Sequence, residues 1–155
     1  MKHIYTRLSI FVLLFNVLAM APKAEAQPVS KYPCAKYHAD LRRHGLPVKV
    51  FAPIMWRESK CQPRVVGWNY HKGMSHRDCK LTPAETYRKC KAVRSYDVGL
   101  LQINSSWKTL TAQVCKKKFG KMFVLRDVEC NLKVASVLYD DGKGLVNWQG
   151  TSGAK

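Results

Sequence analysis

Acidic residues are scarce in this chain. Its 155 residues hold 10 Asp+Glu against 27 Lys+Arg, a formal net charge of +17. That imbalance points to a polyanionic partner: nucleic acid, an anionic membrane or an anionic cell wall. Charge alone neither chooses among these nor dictates a fold. Repeats and low-complexity stretches are absent. After residue 26 there is no apolar run long enough to span a bilayer. No nucleic-acid recognition motif is present, so charge is the only feature that suggests such a partner. The tight Cys-x-x-Cys spacing of common zinc sites is missing too. What remains is 46% apolar and 24% charged, a globular composition that argues against intrinsic disorder. The length suits one domain.

The first 26 residues read as a signal peptide. Lys2 and Arg7 form a basic start, and Leu8 to Met20 is apolar apart from Ser9 and Asn16. Ala24-Glu25-Ala26 has the small-x-small form of a cleavage site. The apolar run falls short of the roughly 20 residues of a membrane span, which disfavours an anchor. Cleavage after Ala26 removes Lys2, Arg7, Lys23 and Glu25. It leaves residues 27–155 as one domain with a charge of +15 in place of +17. The expected location is secreted or periplasmic.

Export changes how the cysteines read. Cys34, Cys61, Cys79, Cys90, Cys115 and Cys130 all follow residue 26. An even count in an oxidising compartment predicts three disulfides, and the sequence does not choose the pairing. His71 and His76 beside Cys79 and Cys90 raise zinc as the competing idea, but exported cysteines more often oxidise. We expect no metal and no cofactor.

The fold class expected is α+β, mainly helical, with a small lobe rich in loop and strand, pinned by disulfides. Ala35 to His44 predicts a helix stopped by Gly45. Pro47 to Cys61 carries Val48, Phe51, Ile54 and Met55 at helical spacing. Pro53 suggests that the regular helix starts there. Residues 67–80 read as loop. Thr82-Pro83-Ala84-Glu85 has the pattern of a capping box opening a helix to about Lys91. Ser95 to Asn104 fits either a short strand and turn or the start of a helix. Ser105 or Ser106 can cap a helix holding Trp107, Leu110, Val114 and Cys115. Asp127 can cap a last helix with Val128, Leu132, Ala135 and Tyr139 on one face, ended by Gly142 and Gly144.

Two segments carry candidate chemistry. Met55-Trp56-Arg57-Glu58-Ser59-Lys60 puts one carboxylate at the end of an otherwise apolar helix. Alone this means little, since a helical Glu is usually solvated. Ser95-Tyr96-Asp97-Val98-Gly99-Leu100-Leu101-Gln102-Ile103-Asn104-Ser105-Ser106-Trp107 sets polar groups between apolar ones and ends on an aromatic. That pattern can line a cleft with hydrogen-bonding groups and a stacking ring.

Together the segments resemble the lysozyme superfamily. The run from Ser95 to Trp107 resembles the signature shared by c-type lysozymes and small secretion-associated lytic transglycosylases. Glu58-Ser59 resembles the Glu-Ser pair that ends the catalytic helix in both. Arg43-His44-Gly45-Leu46 is similar to the first helix of c-type lysozymes. Cys130-Asn131-Leu132 with Asp141-Gly142-Lys143-Gly144 and Trp148 is similar to the late helix and turn of either group. The sequence departs from the pattern in three places. Glu58 and Asp97 are 39 residues apart, longer than the c-type interval, and the extra length lies within 62–95. No cysteine follows Cys130, so the terminal c-type bridge cannot form. The tail after Trp148 is short.

The resemblance implies a lysozyme-like fold that cleaves the β-1,4 bond between N-acetylmuramic acid and N-acetylglucosamine. Glu58 would be the general acid, a role that needs an apolar, poorly hydrated site. Trp56, Met55 and Ile54 are its sequence neighbours. A hydrolase would use Asp97 as nucleophile or charge stabiliser. A lytic transglycosylase would need no second carboxylate, because the sugar's own 6-hydroxyl attacks. Asp97 would then hold the turn before Gly99. The Ser-Tyr-Asp-Val-Gly…Ser-Ser-Trp run is closest to the transglycosylase form, which is the expected activity, with hydrolysis as the alternative. Gln102 and Asn104 would hydrogen-bond sugar groups, and Trp107 and Tyr96 would stack on rings. Trp148 is expected in the core. The expected partners are peptidoglycan strands, the anionic wall and a secretion or conjugation machinery. The chain is expected to act as a monomer. A non-catalytic glycan-binding protein and a basic membrane-active antimicrobial protein are the rival readings.

Overall fold

A computed structural model describes residues 31–152, apart from 119 and 141–143. The signal peptide, its cleavage after Ala26 and the Asp141-Gly142-Lys143 turn lie outside the described residues.

The architecture is α+β: five α-helices, five short 3-10 helices and one antiparallel sheet of three strands, neighbours in chain order, among the described residues. Helix α1, His38–Arg43, follows a 3-10 turn over Ala35–Tyr37. It stops where expected. Gly45 takes a φ of 70°, and the amides of Gly45 and Leu46 close back on Arg42 and Leu41. This is a Schellman ending, and it drives Leu46 into the core.

Helix α2, Val48–Ser59, begins at Val48 and not at Pro53. Pro47 occupies its N-cap position, and Pro53 sits on the exposed side of the helix. The carbonyl that loses its amide partner there can turn to water. Lys60 and Cys61 then adopt left-handed backbone, which ends the helix abruptly after Glu58-Ser59. The Cys34–Cys61 disulfide ties that end to the start of the described chain.

The segment expected as loop contains a strand, β1, Val66–Tyr70. It pairs with β2, Val93–Val98, with Gly67 opposite Asp97, Trp68 opposite Tyr96 and Asn69 opposite Ser95. Strand β3, Ile103–Asn104, pairs Asn104 with Asp97. The Thr82 capping box does not form. Pro83 holds the N-cap position of a 3-10 helix over Ala84–Lys89 with no side-chain cap. A capping box occurs earlier, where Ser75 and Asp78 open the 3-10 turn His76–Cys79.

Asn104, rather than Ser105 or Ser106, caps the 3-10 turn Ser105–Trp107 that leads into α3, Lys108–Val114. Helix α4, Val128–Asp140, starts at the expected cap: Asp127 Oδ1 accepts the Cys130 amide at 2.9 Å. Helix α5 runs Val146–Ser152.

The main core gathers Leu41, Phe51, Met55, Leu101, Leu132 and Leu138 with Trp148. Phe51 meets the rings of Tyr139 and Trp148 edge-on at 5.1 and 5.3 Å. Trp148 is buried as expected, and its indole N–H donates to the Leu101 carbonyl. A second, smaller cluster sits around Cys79, Cys90 and Ala92. Disulfides join Cys79 to Cys90 and Cys115 to Cys130. The two cysteines beside His71 and His76 are therefore bonded to each other rather than open to a metal.

Asn131, fully buried on α4, fastens the sheet to the helices. It accepts from the Leu101 amide and donates to the carbonyls of Val98 and Leu125. The β2–β3 turn must come this close for those bonds to form. Gly99, at a φ of 83°, allows it: a Cβ there would collide with the Leu125 carbonyl and the Asn131 amide.

Candidate active site

A cavity of about 290 Å³ opens between the sheet and the helices. Glu58 enters it from the last turn of α2. Asp97 comes from β2, Gln102 from the β2–β3 turn, and Asn104 from β3. Trp107 follows from the 3-10 turn after β3. Five of the six residues singled out in the sequence thus line one space.

Tyr96 does not. Side chains alternate across a strand, so Ser95 and Asp97 face the cavity while Tyr96 points to the other side of the sheet, against Trp68 at 5.4 Å. Its backbone amide bonds to Ser105 Oγ, but its ring lines a separate cavity. Tyr96, expected to bind substrate, therefore does not share the Glu58 cavity. Burial holds its phenol above the ordinary value, partly offset by the charge of Arg88.

Asp97 is held on both sides. Its Oδ2 accepts from Asn69 Nδ2 at 2.6 Å and its Oδ1 from Asn104 Nδ2 at 2.8 Å. Donors on both oxygens fix the plane of the carboxyl group. Asn104 is itself fixed, because its oxygen caps the next turn and its nitrogen also reaches Ser95 Oγ. Gln102 is used in the same way. Its Nε2 donates to the Gly99 and Val65 carbonyls, and its Oε1 lies where a Cβ on Gly67 would be. Both amides therefore build the cavity wall as well as facing it.

Glu58 is half-buried at the C-terminal end of α2. Leu138 and Trp148 supply apolar wall to its cavity. Ile54 and Met55, its sequence neighbours, are in the main core, and Trp56 is 49% exposed. Neither they nor Trp56 line the cavity.

Sequence reasoning missed Asn69, Arg94, Ser95 and Asn147, all of which line the cavity. Asn69 is the consequential omission. It lies in the segment read as loop, and only the β1–β2 register brings it to Asp97. The alternation of Val66, Trp68 and Tyr70 was the available signal, masked by the intervening Gly67 and Asn69. Among the described residues, no group of three or more metal-ligating side chains occurs. None of their helices is long and apolar enough to cross a membrane.

No protein-family model matches the chain, and no curated protein matches its sequence.

Proposed function

We propose that the chain cleaves peptidoglycan strands at the β-1,4 bond between N-acetylmuramic acid and N-acetylglucosamine, with Glu58 as general acid. The observation behind this reading is the shared cavity: Glu58 and Asp97 line it together, and two amides hold the Asp97 carboxyl in place. Two carboxyls facing one space is the arrangement that cleavage of a glycosidic bond uses.

In the hydrolytic course, Glu58 gives its proton to the glycosidic oxygen as the C1–O bond breaks. Asp97 stabilises the positive charge at C1 or bonds to it. Water, deprotonated by Glu58, then completes the exchange. The placement of Asp97 favours this course. The lytic transglycosylase course is the second reading, in which the 6-hydroxyl attacks C1 and Glu58 takes its proton to leave a 1,6-anhydro end. It is favoured by the engagement of both Asp97 oxygens with amides from neighbouring strands, as suits a residue that holds the sheet. The exposed cations Arg42, Arg43 and Lys116-Lys117-Lys118 fit an enzyme that gathers on an anionic wall. The three disulfides fit an oxidising compartment. Export, monomeric action and association with a secretion or conjugation machinery belong to the same proposal.

The test is mass spectrometry of digested peptidoglycan, with Glu58→Gln alongside. Reducing ends mean hydrolysis and anhydro ends mean transglycosylation. A Glu58→Gln variant that digests the wall at the wild-type rate would overturn the assignment.

A further inference from the structure

One residue of β2 breaks the alternation that places its neighbours. Ser95 pairs with Asn69 and Val93 with Tyr70, so Arg94 is left over where the register shifts between Asn69 and Tyr70. This is a β-bulge, one extra residue on β2 with no partner on β1. Strict alternation would send Arg94 to the side that Tyr96 takes. Instead Arg94 lines the same cavity as Ser95, Asp97 and Glu58. Among the described residues it is the one cationic side chain in that wall, which otherwise holds two carboxyls and neutral groups. Arg94 is exposed, and among the described residues no carboxylate pairs with it. Asp97, three residues along the same strand, already accepts from Asn69 and Asn104.

We propose that Arg94 is a specificity-determining residue of the cleft, which binds a carboxylate of the substrate strand beside the bond to be cleaved. The inference rests on the reading of the chain as a peptidoglycan-cleaving enzyme, and it names the feature of the strand that this site selects. The two alternating sugars share one N-acetylated pyranose frame. Only N-acetylmuramic acid carries an acid, on its lactyl ether. A wall holding Glu58 and Asp97 repels such a group, whereas a neutral strand of N-acetylglucosamine meets no such cost. A cation in the same wall reverses that preference. Arginine suits the task, because its planar fork of donors matches a carboxylate with two parallel hydrogen bonds. The bulge supplies the placement: it carries a cation into the cleft while Ser95 and Asp97 keep their own positions there. The carboxylate is the lactyl acid itself on a strand stripped of peptide, or an acid of the peptide attached at that point. Both present the same chemistry to a guanidinium.

The test is calorimetric titration of the full chain carrying Glu58→Gln, which prevents turnover. Three tetrasaccharides serve as probes: neutral chitotetraose, an alternating N-acetylglucosamine–N-acetylmuramic acid strand without peptide, and the same strand with its peptides. An acidic strand should bind about tenfold more tightly than chitotetraose, as one charge-assisted contact predicts. Adding Arg94→Gln should abolish that preference. Arg94→Lys should restore part of it, because an ammonium keeps the charge without the fork. The preference should also shrink as salt rises. Tight binding of the bare strand identifies the lactyl acid as the group held, and tight binding of the peptide-bearing strand alone identifies a peptide acid. Equal affinity for neutral and acidic strands, a preference that survives Arg94→Gln, or an equal loss for all three probes would each overturn the proposal; equal loss is what a merely structural Arg94 gives. This readout needs no turnover. A wild-type chain that cleaves no wall, with the Arg94-dependent preference present, would sink the enzymatic reading and leave the binding assignment standing. Cleavage without the preference would do the reverse.

Discussion

The Asn69 side-chain amide donates to the Asp97 carboxylate across β1 and β2 at 2.6 Å. One strand thereby sets the orientation of a carboxyl on the next, and the Asn104 amide completes the grip from β3 at 2.8 Å. Asp97→Asn should reduce peptidoglycan hydrolysis by about two orders of magnitude or more, because a fixed negative group facing a developing positive charge is lost. Asn69→Ala should cost about ten- to a hundredfold in kcat with little change in KM, the equivalent of one hydrogen bond to a charged group. Turbidity clearance and product masses measure both. Asp97→Asn at full rate with anhydro products would select the transglycosylase course.

Gly99 and Gly73 make a matched pair of probes. Both have left-handed backbone, at φ of 83° and 80°. A methyl on Gly73 meets open space, whereas one on Gly99 meets the Leu125 carbonyl and the Asn131 amide. Gly73→Ala should cost only the conformational penalty of about 1 kcal/mol. Gly99→Ala should cost about 3 kcal/mol or more, because it also separates buried hydrogen-bonding groups. Denaturant unfolding of the two variants measures the contrast.

The contrast also shows where the sequence was informative. Elements set by local chemistry were legible: the Gly45 stop, the Asp127 cap, and the face of α4 that buries Leu132 and Ala135. Where two local signals competed, the sequence misled. Pro53 reads as a helix start, yet its exposed side of α2 tolerates a missing amide. Thr82 reads as a cap, yet Pro83 begins a 3-10 turn. Features that depend on distant pairing were hidden. The register that carries Asn69 to Asp97 and turns Tyr96 away is a property of two strands. The meeting of Glu58 with Leu138 and Trp148 around one cavity, 80 or more residues apart in the chain, is likewise a product of tertiary packing.

Tyr70 should titrate late. Its hydroxyl lies 3.1 Å from that of Tyr87, and this hydrogen bond, with burial, pushes its pKa up to about 12. A raised tyrosine value means that the neutral form is favoured in the folded protein. The resulting stability is fully present below the unfolded value of about 10 and is lost as pH rises through about 12. Absorbance at alkaline pH should show the Tyr70 phenol ionising late, beside the Tyr96 phenol that burial also raises. Tyr87→Phe should bring Tyr70 back toward the ordinary value, and a titration unchanged by that substitution would refute the assignment.

Glu129 gives the opposite sign. Hydrogen bonds from His44 and then Arg43 hold its carboxyl below the usual range. Its contribution is present above the ordinary carboxylate value and is lost as pH falls through the lowered one. The group is exposed, so the effect is small and screened by salt. Glu129→Gln should melt slightly below wild type at neutral pH and low salt. The two melting temperatures should converge in acid and also at high salt.

The Cys79–Cys90 bond closes a short loop, with a sequence separation of 11. Chain entropy assigns a loop of about 15 residues roughly 3 kcal/mol, and this one is slightly shorter. The loss should be local, because Cys79, Cys90 and Ala92 pack with Tyr70, Tyr87 and Val93 in a cluster distinct from the core beneath α2 and α4. In a Cys79→Ala, Cys90→Ala double variant, amide exchange should quicken between residues 71 and 92. The amides of α4 should stay protected, and cleavage at Glu58 should persist. Equal acceleration in α4 would show that the small cluster is a working part of the main core.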